Sequence, residues 1–186
     1  MLVRDDACLD SEVARLTVSR VRLGTRIGFV GFDAGLGHEV PLMRIDCEES
    51  RRAVVARLRV SRPDDGWTGW ADALRAVIDV AGEDQAGRRR AVLAVSGRPV
   101  GGGRVNWARE PEGEACRLLA ARGWRLFTVG TGAAAEDRAA RRMLRYLART
   151  SGGRSSVAAT AEETMGACRA VVDRLSGHRP LAGQAA

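Results

Sequence analysis

Apolar and polar positions recur along this chain with two different periods. Continuous apolar runs of strand length, of which residues 91–95 are the clearest, are typical of strands buried on both faces. Between them lie segments whose apolar residues recur every three or four positions, as at Leu74, Val77 and Ile78, which is typical of helices with one buried face. The alternation of the two patterns predicts an α/β fold, a mostly parallel sheet with helices on both faces.

The pattern places each element along the chain. Strands are predicted at residues 27–32, 39–45, 91–95, 125–129 and 154–158, the last of them as an edge strand. A first helix is predicted after a cap at Asp10 or Ser11 and runs to about residue 23. Further helices are predicted at residues 48–58, 70–81 and 136–150, around Leu118 and Leu119, and after a capping box at Thr160 and Glu163. Glycines between the first two strands predict a hairpin. With no repeat or linker, one domain at residues 1–177 and a polar tail at 178–186 are expected.

Composition excludes several kinds of chemistry. The chain has 186 residues, of which 45% are hydrophobic and 28% charged, as in ordinary globular proteins. All 30 of its basic residues are arginines, so a Walker A lysine and a Schiff-base lysine are both excluded. With only His38 and His178, a three-histidine zinc site is excluded as well.

Net charge and cysteine content exclude fewer functions than the residue types above. The chain contains arginine but no lysine, and it is rich in alanine, which indicates a GC-rich bacterial genome. The net charge of +7 therefore reflects codon use as much as function, and nucleic acid is not the predicted partner. Asp5 and Asp6 are acidic, whereas a signal peptide is basic and then apolar in this region. No apolar run is long enough to span a membrane. These features predict a cytoplasmic protein without membrane contact. The cysteines form no C-x-x-C pair and are expected to be reduced and half-buried.

Two glycine-rich segments raise the possibility of a phosphate site. Gly101 follows a predicted strand but no helix begins directly after it, and Gly130, Thr131 and Gly132 lack the third glycine of a dinucleotide-binding loop. Turn glycines are the preferred interpretation of both. Nucleophilic catalysis is not indicated either, because Ser96 is outside any G-x-S-x-G motif.

Arginines cluster on one side of the helix predicted at residues 136–150. At 100° per residue these side chains fall within about 100° of arc, opposite the apolar positions of the same helix. A solvated face is the ordinary interpretation of such a pattern, and a docking site for an acidic partner is the alternative. The arginines are Arg138, Arg141, Arg142, Arg145 and Arg149.

The order of these segments resembles that of the von Willebrand factor type A domain. Residues 26–32 are similar to its second strand, residues 66–74 to its glycine-threonine loop and following helix, residues 91–97 to its fourth strand, residues 123–132 to its fifth, and residues 152–153 to the turn before its last strand. The resemblance covers most of the chain, from Met1 to Leu175. It implies a three-layer, Rossmann-like sandwich and a protein-interaction role.

In that family a metal-ion-dependent adhesion site lies at the carboxyl edge of the sheet. A D-x-S-x-S motif after the first strand, a loop threonine and an aspartate after the fourth strand hold a divalent cation there. The resemblance places Thr68 at the threonine, but Ser96 stands where the aspartate is expected. Because a neutral hydroxyl is a much weaker ligand than a carboxylate, the resemblance implies a degenerate site and no bound cofactor.

The beginning of the chain departs from the family pattern. Met1 lies 27 positions before Gly28, which is the usual separation between the methionine after D-x-S-x-S and the second strand. The central first strand and its motif are therefore predicted to be missing.

These observations together predict a non-enzymatic protein-protein interaction domain with an incomplete, non-functional metal site. One alternative is a metal-dependent binder whose first strand is restored in a longer gene product and which then holds Mg²⁺. A second alternative, of a different class, is a small phosphate-binding or hydrolytic α/β protein that uses Gly130 and Gly132.

Overall fold

The computed structural model describes residues 2–3, 7–32, 36–57, 69–81, 90–97 and 106–177. The strands are β1 (Leu2–Val3), β2 (Thr25–Phe32), β3 (Leu36–Ile45), β4 (Arg90–Ser96), β5 (Trp124–Gly130) and β6 (Ser155–Val157). The helices are α1 (Ala7–Arg20), α2 (Glu48–Arg57), α3 (Trp70–Ala81), α4 (Pro111–Ala121), α5 (Gly132–Glu136), α6 (Arg138–Thr150) and α7 (Ala161–Ser176).

The strands form one sheet in the order β3-β2-β1-β4-β5-β6. Neighbouring strands run parallel except β2 and β3, which form an antiparallel hairpin. Strand β6 lies at one edge of the sheet, beside β5. The predicted α/β class, the hairpin and the edge strand are therefore confirmed.

Helices cover both faces of the sheet, so the core has two halves. Along β4, Val92 and Ala94 belong to the cluster beneath α3, α4 and α6, whereas Leu93 and Val95 belong to the cluster beneath α1, α2 and α7. This alternation follows from the period of two along a strand. It explains why the apolar run of β4 is continuous, since each side of the strand is buried.

The centre of the sheet differs from the prediction. Strand β1 lies parallel between β2 and β4, with Leu2 opposite Val30 and Ala94, and Val3 opposite Gly31. The predicted absence of the central first strand is thus not confirmed, because a strand of two residues stands in that position. Neighbouring strands in the middle of a sheet need backbone partners on both edges, and the first residues of the chain supply part of that pairing.

Two predicted helix boundaries also move. Helix α1 already begins at Ala7, so Asp10 and Ser11 lie within the helix instead of capping it. The helix predicted at residues 136–150 is two helices, because the carboxylate of Asp137 accepts a hydrogen bond from the Ala139 N–H at 2.7 Å and starts α6 there. The predicted capping box is confirmed, since Thr160 accepts from the Glu163 N–H at 3.1 Å.

The turn between α6 and β6 depends on two glycines. Gly152 has a φ of +74°, and the chain then passes so close to β5 that a Cβ on Gly153 would lie 1.9 Å from the carbonyl oxygen of Leu126. A methyl group does not fit there unless the backbone moves. Gly166, on α7, has no atom within 4 Å of the position of its missing Cβ.

We expect Gly153→Ala to lower the free energy of unfolding by about 2–3 kcal/mol, because the new methyl group collides with β5 backbone. Gly166→Ala is the matched control and should raise it by about 0.5–1 kcal/mol, since alanine favours the helix. Urea unfolding followed by tryptophan fluorescence measures both values. Equal stability of the two variants would show that the α6–β6 turn does not approach β5 this closely.

Candidate functional site

The carboxyl edge of the sheet is where β4 and β5 end. Ser96, the last residue of β4, lies opposite Gly130 and is buried. Its carbonyl oxygen accepts a hydrogen bond from the Thr131 N–H at 2.8 Å, and the carbonyl of Gly97 accepts one from the Ala134 N–H at 3.0 Å. The backbone that follows β5 is therefore held directly against the end of β4.

The structure describes one of the two predicted metal ligands, Ser96. Ser96 lies at the carboxyl edge, as the family resemblance implied. Thr68 lies outside the described residues, as do Gly101 and the tail at 178–186. The first described residue after Thr68 is Gly69, whose carbonyl accepts from the Ala73 N–H at 2.8 Å in the first turn of α3.

The donors described at this edge do not fit a divalent cation. Ser96 contributes a neutral hydroxyl, and the carbonyls of Ser96 and Gly97 already accept backbone hydrogen bonds. Among the residues that the structure describes, no group of three or more histidine, cysteine or acidic side chains is placed to hold a metal. Magnesium sites generally need one or two carboxylates, and the described edge supplies none from β4.

The same hydrogen bonds bear on a phosphate site at Gly130, Thr131 and Gly132. Phosphate loops bind through backbone N–H groups that are free to point at the anion. Here the N–H groups of Thr131 and Ala134 donate to the carbonyls of Ser96 and Gly97 at the end of β4, and that of Ala135 donates to the Thr131 carbonyl. The segment therefore closes the corner between β4 and α5, as the turn-glycine interpretation predicts.

The predicted arginine cluster lies on α6 and is called the arginine face below. All of its side chains are exposed, and none forms an ion pair with another described residue. The opposite side of α6 is buried against β5 and α4 through Met143, Leu144 and Leu147, among others. The arginine face consists of Arg138, Arg141, Arg142, Arg145 and Arg149.

The position of these arginines along α6 is unfavourable for the helix itself. The amino end of a helix carries a partial positive charge, so cations there are destabilising and cations at the carboxyl end are stabilising. Arg138, Arg141 and Arg142 lie in the first turns, and only Arg149 lies in the last turn. Asp137 offsets part of the cost as the capping residue. Helix stability therefore does not account for the arrangement.

A second feature of the surface was not predicted. A cavity of about 560 Å³ opens at the amino edge of the sheet, between the first residues of β2 and those of β4. No local pattern in the sequence marks this cavity, because it depends on which residues of β2 and β4 lie beside each other in the sheet.

The cysteines lie in contrasting environments, so their predicted half-burial is wrong for those described. Cys116 and Cys168 are buried, and burial raises the pKa of the Cys116 thiol to about 11 and that of Cys168 to about 12. Cys47 is exposed directly before α2, and a hydrogen bond from the backbone of Ser50 is the main reason that its pKa lies below the ordinary value.

Comparison with solved structures identifies the fold. A von Willebrand factor type A protein from Catenulispora acidiphila aligns with 92% of this chain and 38% of its own, at a TM-score of 0.69 and 14% identity. BatB from Bacteroides thetaiotaomicron aligns with 92% of this chain and 88% of its own, at a TM-score of 0.65 and 14% identity. Proximal thread matrix protein 1 from the mussel byssus aligns with 91% of this chain and 42% of its own, at a TM-score of 0.65 and 15% identity. The chain therefore has the von Willebrand factor type A fold.

The similarity to these proteins is one of structure and does not extend to a match in sequence. No protein-family model and no curated protein matches the sequence. The chain spans 38% of the Catenulispora protein, so whatever that protein does as a whole is not transferred with the fold. In the part of the chain that the structure describes, no helix combines the length and apolarity needed to cross a bilayer.

The cysteine environments predict an order of reactivity. We expect iodoacetamide at pH 7.5 to alkylate Cys47 in the folded protein, because its thiolate is exposed and stabilised, and to leave Cys116 and Cys168 unmodified until the protein unfolds. Peptide mass spectrometry after timed quenching resolves the sites. A rate at Cys116 equal to that at Cys47 under native conditions would contradict the packing of α4 against α6.

Proposed function

We propose that this chain is a non-enzymatic protein-interaction domain that uses the arginine face of α6 to dock an acidic surface of another protein. The observation that carries the proposal is the set of exposed arginines without ion pairs to described residues on a helix whose other side is core. Within the fold identified above, the metal site is proposed to be degenerate.

Geometry favours an extended acidic partner. From Arg138 to Arg149 the helix rises about 16 Å, so the guanidinium groups form a stripe three turns long. Guanidinium groups bind carboxylates through two parallel hydrogen bonds and are weakly hydrated, which suits them to interfaces. An unneutralised stripe also attracts an acidic partner from a distance at low ionic strength.

The absence of an enzymatic role is likewise part of the proposal. It is supported by the closed corner at Thr131 and Ala134, where backbone donors are hydrogen-bonded to β4. The neutral Ser96 at the end of β4 supports the degenerate metal site. A metal-dependent binder with a restored first strand is the alternative, and it requires an upstream in-frame D-x-S-x-S motif.

Metal titration tests the degenerate site. We expect calorimetry with MgCl₂ to show no saturable binding tighter than about 1 mM, because Thr68 and Ser96 offer two neutral hydroxyls and no charge. Ser96→Asp is the informative variant, since it returns a carboxylate to the end of β4 and should strengthen any residual binding. Tight binding by the unaltered chain that Thr68→Ala abolishes would show a functional metal site.

Charge reversal tests the arginine face. A fluorescein-labelled peptide of about ten glutamates should bind at low salt and dissociate near 0.5 M salt, where the Debye length is only a few ångströms. We expect the double variant Arg141→Glu/Arg145→Glu to weaken binding by about tenfold or more, because it replaces two attractions by repulsions. Fluorescence anisotropy measures the dissociation constants.

The matched control is Arg52→Glu/Arg169→Glu, which makes the same change of charge at exposed positions of α2 and α7. A second variant, Arg141→Lys/Arg145→Lys, keeps the charge and should still weaken binding, because lysine lacks the planar fork of the guanidinium group. If the control pair weakens binding as much as the α6 pair, the arginine face is a solubility feature only.

A further inference from the structure

Another cavity, of about 610 Å³, lies at the amino edge of the sheet, next to the end of α7. It is called the β5–β6 cavity below. Its lining comes from three parts of the chain: Arg125 and Phe127 of β5, Arg154 directly before β6, and Arg174 and Leu175 in the last turns of α7. A volume of this size is typical of sites for small molecules.

Two of the arginines lie on the same face of the sheet. Arg125 and Phe127 share a face because the period of a strand is two, and Phe127 belongs to the half of the core beneath α7. Arg154 lies beside Phe127, since the Thr128 N–H donates to the Arg154 carbonyl at 3.0 Å and Thr128 lies opposite Ser155. Arg125 and Arg154 thus occupy diagonal positions on neighbouring strands, with Cα atoms about 8 Å apart. Long side chains at such positions are close enough to contact one ligand.

No acidic side chain of the described residues neutralises these arginines. None of Arg125, Arg154 and Arg174 forms an ion pair with another described residue, and no acidic residue is among the described residues that line the cavity. The acidic residue nearest to Arg174 in sequence is Asp173, whose two carboxylate oxygens accept hydrogen bonds from Arg20 at 2.6 and 2.9 Å. Three exposed guanidinium groups therefore line the cavity without a described counter-ion.

A fourth arginine of the lining has a structural role. Arg90 donates from its Nη1 atom to the carbonyl oxygen of Arg122, at the end of α4, at 2.8 Å. Its guanidinium group is thus committed to the protein and is not counted among the three. It adds positive charge to the wall of the cavity.

The stability of the fold does not account for this convergence. Like charges on neighbouring strands are destabilising, and a cation in the last turn of a helix is favourable, which explains Arg174 alone. Helices α4, α6 and α7 all end near the cavity, at Gly123, Gly152 and Leu175 of its lining. Each helix end carries about −0.5 of an elementary charge, which together is less than the charge of three guanidinium groups. An excess of positive charge therefore remains.

We propose that the β5–β6 cavity binds a small anion with two or three linked phosphate groups, held by Arg125, Arg154 and Arg174. Guanidinium groups bind phosphate oxygens through two parallel hydrogen bonds, and linked phosphates engage several arginines at once. Phe127 and Leu175 offer an apolar surface to any organic group attached to the phosphates. The site lies at the opposite edge of the sheet from Gly130 and is separate from the arginine face, so each proposal can fail without the other.

Calorimetry with inorganic triphosphate tests the site on the full chain. We expect saturable binding at low salt, with one ligand per chain and a dissociation constant in the micromolar range. Sulfate should bind at least about tenfold more weakly, because a single tetrahedral anion engages fewer of the arginines. Sulfate binding as tight as that of triphosphate would contradict the proposal, as would the absence of saturable triphosphate binding tighter than about 1 mM.

Variants of the protein locate the site. Arg125→Gln and Arg154→Gln should each weaken triphosphate binding by about tenfold or more, because each removes a charged pair of hydrogen bonds. The matched control is Arg52→Gln/Arg169→Gln, which removes charge at exposed positions of α2 and α7 and should change binding by less than about twofold. Equal losses in the control and in the cavity variants would show that triphosphate responds only to net charge.

A second control separates this site from the arginine face. Arg141→Gln/Arg145→Gln should leave triphosphate binding unchanged to within about twofold, because these side chains lie on α6, outside the lining of the cavity. A loss as large as that in Arg125→Gln would place the anion on the arginine face and overturn the proposal.

Thermal unfolding distinguishes a ligand site from a structural role. Without ligand, Arg125→Gln/Arg154→Gln should have the same Tm as the unaltered chain or a higher one, because the change removes a repulsion. Triphosphate should raise the Tm of the unaltered chain and leave that of the double variant unchanged. A lower Tm of the ligand-free double variant, with an unchanged response to triphosphate, would show that the arginines only support the fold.

Comparison with adenosine triphosphate distinguishes the two sources of linked phosphates. Tighter binding of adenosine triphosphate than of inorganic triphosphate would identify a nucleotide whose organic part contacts Phe127 and Leu175. Equal or weaker binding would identify inorganic phosphates. Either result supports the site provided that Arg154→Gln weakens it, and binding of both compounds that Arg125→Gln and Arg154→Gln leave unaltered would overturn the proposal.

Discussion

Backbone pairing at the centre of the sheet is the constraint on which this fold depends. Among the described residues, main-chain hydrogen bonds join the hairpin of β2 and β3 to β4, β5 and β6 only through Leu2 and Val3. The rest of the connection is side-chain packing, since Val30 and Val92 lie in the same cluster as Leu74 and Val77 of α3. Helix α3 thus bridges two parts of a sheet that a longer central strand would hold together directly.

The two edges of the sheet are therefore unlike each other. In open parallel sheets ligands ordinarily bind at the carboxyl edge. Here the carbonyls of Ser96 and Gly97 accept hydrogen bonds from the backbone after β5, whereas the amino edge contains a cavity whose lining includes Arg22. Among the described residues, a concave surface thus lies at the end of the sheet opposite the usual one.

The sequence predicted those elements whose burial imposes a long pattern. Helix α3 lies at the predicted 70–81, and the arginines of α6 are exposed as their spacing indicated, because a one-sided helix repeats its pattern over several turns. Strand β1 was missed because two residues carry no period, and α5 was missed because its run of alanines has no polar face.

The candidate sites were predictable to unequal extents. The place of Ser96 followed from the end of the β4 apolar run, which fixes where the carboxyl edge lies. The cavity at the amino edge was not predictable, because its position depends on the register between Leu2, Val30 and Ala94, and no local pattern encodes a register between strands far apart in sequence.

The connectivity of residues 106–177 has a consequence for how the molecule opens. Three of its buried side chains find partners within the same stretch: Ser151 Oγ accepts from the Leu126 N–H, Thr128 donates to the Leu144 carbonyl, and Cys116 donates to that of Leu147. These bonds join β5 and α4 to α6, and β4 pairs along all of β5, so we expect these elements to open as one cooperative unit. We therefore expect the hairpin of β2 and β3, which the described part of β1 joins to β4 through Leu2, to separate from the sheet at a lower cost than β5 separates from α6.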